Sequence, residues 1–503
     1  MARDVGKVYL VGAGPGDPAL ITLRGCEVLA QAQIVLYDYL VNPLVLSHAA
    51  ADAELVCLGR HGHGRLLSQS EINSQVVAAA REGKTVVRLK GGDPAIYGRT
   101  SEEIDALEAA CIPYQVVPGV TAALAASSCT GIPLTHRESA SCVAFITGQE
   151  CLDKNGTSLD LANLASFPGT LVFYMGVTSA ERWSAELIRH GKPAETPVAV
   201  VRRCSLPAQT TTKTSLDQLA EVIAAEGIRP PAICIVGEVI AAEAKANWFA
   251  SRPLFGRRIL VTRPAHQATD MIRRLTSLGA EVLVQPAIEI SRPTDWAPVD
   301  TAIDGLSSYD WLVFSSVNGV RFFLDRILAT GRDLRQLGNA RLAAIGPATT
   351  EALYDYHLKA DLQPAEYRAE ALAEQLVAEA SGKRFLLLRA SRGRELLSET
   401  LRTAQAEVEQ VVVYQSEDVQ QAAPEVGAAL AEGQFDWVTV TSSAIARSLI
   451  RLFGDHLRKS KLAAISPLTA DVLAGAGYPA AVVASQYTTD GLIDAIVQDE
   501  SSA

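Results

Sequence analysis

Residues 85–100 read TVVRLKGGDPAIYGRT. A β-branched run, Thr85-Val86-Val87, passes through Arg88-Leu89-Lys90 into Gly91-Gly92-Asp93-Pro94. This is the pattern of a buried strand that ends in a loop whose two adjacent glycines are free to adopt positive φ. Such a backbone can press against a ligand while Asp93, Lys90 and Arg99 address its polar groups; in isolation it would describe a tight turn. The flanking chain supplies the context. Residues 7–12 read as a buried strand closing on Gly12-Ala13-Gly14-Pro15-Gly16-Asp17-Pro18, followed by a helix over 20–32 and a strand over 34–37 that ends at Asp38. A strand near 55–58, a capping box at Ser68–Glu71 opening a helix to Arg81, a helix over 102–110 and a strand-to-helix corner at 116–123 follow. Strands alternating with helices predict an α/β layer. A second layer is predicted from strands at 141–148, 170–175, 197–201, 209–212 and 231–239, mostly apolar as in a sheet covered on both faces.

The 503 residues are 48% hydrophobic and 20% charged, which is globular composition and length enough for three or four domains. A formal net charge of -11 argues against nucleic acid or an anionic membrane as partner. The eight cysteines all precede residue 240 and form no C-x-x-C pair, so a reducing cytoplasm is expected, with neither disulfides nor a metal. No signal peptide is visible at the N-terminus. Residues 111–135 carry no charge, but Pro113, Pro118, Gly119, Gly131 and Pro133 interrupt them, so no membrane span is expected.

The first glycine loop, with Asp38 about 20 residues on, also fits a dinucleotide-binding fingerprint. On that reading the chain would be an NAD-dependent oxidoreductase joined to a non-catalytic two-lobed binding module. Asp17 weakens it, because it sets an anion where pyrophosphate approaches the helix N-terminus, and Pro15 and Pro18 stiffen the loop.

Beyond residue 257 the chain repeats itself. RILVTR at 258–263 answers to RFLLLR at 384–389, and DWLVFSS at 310–316 to DWVTVTS at 436–442, each 126 positions on. RLAAIGPAT at 341–349 answers to KLAAISPLT at 461–469, 120 positions on. Two similar α/β domains with parallel sheets are expected, with ligand binding beyond the strand carboxyl ends. Arg263, Ser315, Ser316, Asn318, Thr349, Arg389, Ser442 and Thr469 would then face one cleft suited to an anionic ligand. Helix N-capping is the plainer role for most of the hydroxyls.

Six motifs in order, VGAGPGDP (11–18), VLYDYLV (35–41), RLKGGDPAIYGR (88–99), VVPGVTAA (116–123), GIPLTHR (131–137) and PAICIVGEV (231–239), closely resemble the tetrapyrrole methylase family, specifically its uroporphyrinogen-III C-methyltransferases. The resemblance implies a two-domain methylase fold over residues 1–245, divided at about 137, that binds S-adenosylmethionine and forms homodimers. It assigns S-adenosylmethionine contacts to Pro15, Gly91, Gly92, Asp93, Ile96, Thr121, Ala122, Met175, Cys204 and Ala232. It assigns proton acceptance to Asp38. Arg60 stands where the family usually has a lysine proton donor; a guanidinium is effectively never deprotonated, so Arg60 reads as a carboxylate or charge-stabilising contact.

After a linker at 246–256, residues 257–503 resemble uroporphyrinogen-III synthase through LVTRP (260–264), FSSVNGVRFF (314–323), AIGPATTEAL (344–353), VVVYQSE (411–417) and VTVTSS (438–443). That resemblance implies cyclisation of hydroxymethylbilane to uroporphyrinogen III, with Tyr414 assisting departure of the hydroxyl. Joined, the halves would close the macrocycle and methylate it twice to precorrin-2, toward sirohaem or cobalamin, without a metal.

Overall fold

Among the described residues, the strands assemble into four five-stranded sheets. The computed structural model describes residues 5–59, 67–149, 159–244, 247–393 and 395–502. The chain divides into two compact units, Met1–Gly256 and Arg257–Ala503.

In the first unit, β1 (Val8–Gly12), β2 (Ile34–Tyr37), β3 (Glu54–Cys57), β4 (Val86–Lys90) and β5 (Tyr114–Val117) form a parallel sheet ordered β3-β2-β4-β1-β5. β1 and β4 are buried along their whole length, as expected of central parallel strands. The helix expected over 20–32 is shorter. The Asp17 carboxylate caps a single turn at Pro18–Leu20, and the Thr22 hydroxyl then accepts from Gly25 N–H to start a new helix, Leu23–Leu29. The capping box at Ser68–Glu71 forms as expected and opens the helix Gln69–Arg81.

β6 (Val143–Thr147), β7 (Thr170–Tyr174), β8 (Pro197–Arg202), β9 (Thr210–Ser215) and β10 (Ala232–Val236) build the second sheet. It is mixed: β10 runs antiparallel to both β7 and β8. Residues 247–256, part of the expected linker, pack on this first unit. Phe249 and Leu254 are buried, and the Trp248 indole donates to the Ser128 carbonyl at 2.8 Å.

The second unit contains β11 (Arg258–Val261), β12 (Glu281–Val284), β13 (Ile288–Ser291), β14 (Trp311–Phe314), β15 (Arg341–Ala344), β16 (Arg384–Ala390), β17 (Glu407–Asp418), β18 (Trp437–Val440), β19 (Lys461–Ala464) and β20 (Val482–Val483). One sheet runs β12-β11-β18-β19-β20, the other β13-β17-β16-β14-β15. Neither lobe is therefore one sequence repeat. The first two strands of the first repeat pair with the later strands of the second, and the reverse holds in the other lobe. Both exchanges are fixed by equivalent aspartates: Asp436 accepts from Arg258 N–H at 2.7 Å and Asp310 from Arg384 N–H at 2.9 Å. The sheets are also not wholly parallel. β13 runs antiparallel to the end of β17, pairing Ile288 with Asp418 and Ser291 with Gln415. This ribbon carries the chain between lobes, and Ile290 packs against both lobe cores.

Candidate functional sites

Three loops of the first unit meet backbone to backbone at the carboxyl ends of β1, β4 and β5. Gly14 and Gly92 exchange hydrogen bonds of 3.2 and 2.8 Å. A methyl group on Gly12 would lie 2.7 Å from both Gly119 Cα and the Gly92 carbonyl, and one on Gly119 only 2.3 Å from that carbonyl. Gly14 is closed off by the Leu20 carbonyl and Gly16 by the Leu206 side chain. The first loop therefore owes its glycines to contact with other protein atoms. Gly91 and Gly92 differ: the nearest atoms to their missing methyl groups are Leu40 Cβ at 3.5 Å for Gly91, and Ala122 N and Thr121 Cα at 3.9 Å for Gly92. Gly92, at φ +70°, thus faces the start of the helix Ala122–Thr130 across a gap.

The walls of this gap are set by polar contacts, of which those of Tyr174 are buried. The Asp93 carboxylate accepts from Gly119 N–H and Ala95 N–H at 2.9 and 2.8 Å, fixing two loops at once. The Tyr174 hydroxyl accepts from Ala123 N–H at 3.0 Å and bonds the Thr121 hydroxyl at 2.7 Å, tying the first sheet's loops to β7. Ser205 Oγ accepts from Asp17 N–H at 3.1 Å. Ile96 and Ala122 pack against the apolar cluster that holds Tyr174, Cys204 and Ile233. Burial pushes the Cys204 thiol up to about 12, so it is a small protonated apolar contact and not a nucleophile. Met175, at the end of β7, is 45% exposed with φ +53°.

At the carboxyl end of β2, Asp38 is paired with Arg88 at 2.5 Å, and its side chain is 32% exposed. Arg88 also reaches Glu103 at 3.1 Å, and Lys90 reaches the other oxygen of Glu103 at 2.6 Å. Burial, followed by the Arg88 charge, lowers the Lys90 pKa against the opposing pull of Glu103.

In the second unit a cavity of about 230 Å³ opens between the lobes. Its lining includes Arg263, Gln267, Asn318, Arg392, Tyr414, Ser416, Thr441 and Ser442. The Tyr414 ring lies in a lobe core beside Phe322, with its hydroxyl 3.1 Å from Ser316 Oγ. Burial raises the Tyr414 pKa against the lowering pull of Ser316, Asn318 and Arg392, so the phenol stays protonated near neutrality. Arg263 donates to Thr489 Oγ at 2.8 Å, and Arg392 is ion-paired with Asp418 at 2.6 Å.

Residues 7–220 match the family model of the tetrapyrrole (corrin/porphyrin) methylases, and residues 269–494 that of uroporphyrinogen-III synthase HemD. The porphyrin biosynthesis protein HemD of Ruminiclostridium josui is 33% identical over 497 residues, 98% of each chain. This chain belongs to the fused tetrapyrrole methylase–uroporphyrinogen-III synthase family. Its methylase half is 44% identical over 240 residues to the S-adenosyl-L-methionine-dependent uroporphyrinogen III methyltransferase of Methanosarcina barkeri, covering 48% of this chain and 94% of that one. A siroheme synthase of Zymomonas mobilis is 48% identical over 247 residues, 49% of this chain and 52% of its own length.

Of the residues read from sequence in the methylase half, the structure gathers Gly92, Ile96, Thr121, Ala122 and Cys204 around the gap, with Asp93 bracing its loops. Pro15 lies in the first glycine loop, Ala232 pairs with Arg202 where β10 begins, and Arg60 falls outside the described residues. In the synthase half Arg263, Asn318, Tyr414 and Ser442 line one cavity, and Ser316 joins it through Tyr414. Ser316 and Ser442 also cap helices, accepting from Gly319 and Ile445 N–H. Ser315 is exposed in the turn before the Ser316 cap. Thr349 and Thr469 are buried in the first turns of their own helices and do not line the cavity. Arg389 is directed instead to Glu395 and Gln410. Sequence reading passed over Tyr174 and the Arg88–Glu103 pair. For the last of these a signal existed: two cations at alternate positions of an otherwise apolar strand.

Proposed function

We propose that the methylase half transfers methyl groups from S-adenosylmethionine to two ring carbons of uroporphyrinogen III, giving precorrin-2, and that the synthase half makes that substrate from hydroxymethylbilane. The observation that carries the first activity is the approach of Gly92 to Thr121-Ala122, with Gly91 beside it facing Leu40. The gap is lined by backbone and small apolar groups, and a methyl group on either glycine would meet protein atoms only at ordinary contact distances of 3.5 and 3.9 Å. Ile96, Cys204 and Met175 suit the apolar parts of the cofactor, while backbone N–H and carbonyl groups suit its polar ends. S-adenosylmethionine supplies an electrophilic methyl group when bound. Methylation of a ring carbon leaves a cationic macrocycle that must lose a proton, and we assign its acceptance to Asp38, a partly exposed carboxylate at the end of β2. The filled glycines of the first loop leave no cradle for pyrophosphate, which disfavours the NAD reading.

In the synthase half Tyr414 is a protonated phenol at a cavity with Arg263 and Arg392, an arrangement that fits a polycarboxylate and assistance to a departing hydroxyl. The inter-lobe cavity holds cations, hydroxyls and backbone donors, which favours positioning over covalent catalysis. We further propose a homodimer formed through the methylase half, a reducing cytoplasmic location in keeping with the free described cysteines, and a role in sirohaem or cobalamin synthesis.

A coupled assay on the whole chain tests this. Hydroxymethylbilane alone should give the type III isomer, and added S-adenosylmethionine should convert it to a dimethylated product. Formation of the type I isomer alone, as in spontaneous closure, would overturn the synthase reading; type III without methylation would overturn the other.

A further inference from the structure

Arg88 and Lys90 are each only 3% exposed inside β4, and Glu103, on the helix Thr100–Ala109, is 2% exposed. With the partly exposed Asp38 they form a row of alternating charge: Asp38, Arg88, Glu103, Lys90. Taking such ions out of water costs several kcal/mol each, and replacing paired ions by apolar residues of similar size is often neutral or stabilising. Stability alone is therefore a weak reason for the row. Its geometry gives a better one. The Arg88 guanidinium is held on three sides, by Nη1 to the Leu89 carbonyl at 3.2 Å, Nε to Glu103 at 3.1 Å and Nη2 to Asp38 at 2.5 Å. Gln69 Nε2 donates to the same Glu103 oxygen at 3.2 Å, so Glu103 is itself fixed from a neighbouring helix. A planar fork clamped in this way leaves the Asp38 carboxylate little freedom, while about a third of that side chain stays exposed.

We propose that Arg88 and Glu103 are positioning residues for proton removal. Arg88 orients the Asp38 carboxylate, Glu103 orients Arg88, and Lys90 balances the second Glu103 oxygen. This rests on reading Asp38 as the proton acceptor. In that step the ring carbon's π pair forms the bond to the methyl carbon, and the methyl–sulfur pair stays on sulfur. The cationic macrocycle then releases a proton to Asp38, and the C–H pair returns to the ring.

The test uses the full chain with Arg88→Met, Arg88→Lys, Glu103→Gln, Asp38→Asn and the double variant Arg88→Met/Asp38→Asn. Methyl-transfer kcat and KM for uroporphyrinogen III are measured beside S-adenosylhomocysteine affinity. Arg88→Met should lower kcat at least tenfold with KM and product affinity within about twofold, Arg88→Lys should recover part of the loss, and Glu103→Gln should give an intermediate loss. The double variant should be no slower than Asp38→Asn alone, because both changes remove one function. Losses that multiply in the double variant, or altered affinities at unchanged kcat, would overturn the inference. If Arg88→Met does not fold, the Arg88→Lys and Glu103→Gln profiles decide by the same criteria. Wild-type kcat in Asp38→Asn would remove the Asp38 reading and this inference together; a slow Asp38→Asn beside a fast Arg88→Met would remove only the inference.

Discussion

Replacing Gly92 by alanine separates the two glycine loops by function. Gly92 has φ +70°, so any side chain there incurs left-handed strain of about 1–2 kcal/mol. The added methyl meets no protein atom closer than 3.9 Å, so steric cost within the protein is small. In a unit of this size that strain lowers the melting temperature by roughly 2–4 °C per kcal/mol. The methyl stands in the gap opposite Thr121 and Ala122, where the cofactor would lie. S-adenosylhomocysteine affinity should fall at least about tenfold, equivalent to about 1.4 kcal/mol. Gly12→Ala is the control. Its methyl would sit 2.7 Å from Gly119 and Gly92 backbone atoms that cannot rotate away, so its main effect is overpacking, of order 1–3 kcal/mol or more. Titration calorimetry with S-adenosylhomocysteine and scanning calorimetry on both variants give the two readouts. A folded Gly92→Ala protein with wild-type affinity, or a Gly12→Ala protein that loses binding at unchanged stability, would refute the assignment.

Tyr174→Phe leaves the buried Ala123 N–H without its acceptor, so stability should drop by about 1–3 kcal/mol and cofactor affinity should weaken, read by denaturant unfolding and calorimetry. Tyr414→Phe should slow bilane cyclisation and raise the proportion of type I isomer in the product analysis. Because burial raises the Tyr414 pKa, the wild-type cyclisation rate should show no loss from phenol ionisation at any pH up to about 10, the ordinary tyrosine value. Arg389, followed by Gln410 and Ser398, holds Glu395 at about 2. A depressed carboxylate contributes stability above its unfolded value of about 4.3 that is lost as pH falls toward about 2. Arg389→Met should therefore reduce stability above that window and converge on the wild type below it, measured by denaturant unfolding against pH.

The parallel α/β layer was legible because β1 is apolar throughout and β4 is apolar but for Arg88 and Lys90, and a strand buried on both faces needs no alternation to be recognised. The helix at 20–32 was misread because Asp17 and Thr22 each act as caps, and a cap's choice between continuing and restarting a helix depends on side-chain geometry. In the site, the order of six motifs pointed to the residues around the gap, whereas Tyr174 went unnoticed because an aromatic ending a strand reads as core until its hydroxyl partners are known.

By itself the sequence determined the strands, the two glycine loops and the internal repeat, since each is a local pattern of burial, turn chemistry or self-similarity. Tertiary structure decided which glycines leave no room for a methyl group and which leave room at ordinary contact distance, because only the neighbouring backbone distinguishes them. It also decided that the repeats exchange strands, with Asp310 and Asp436 fixing the exchange. Strand pairing is a long-range choice, and two nearly equivalent repeats carry nearly equivalent edges; their sequence alone does not say which half pairs with which.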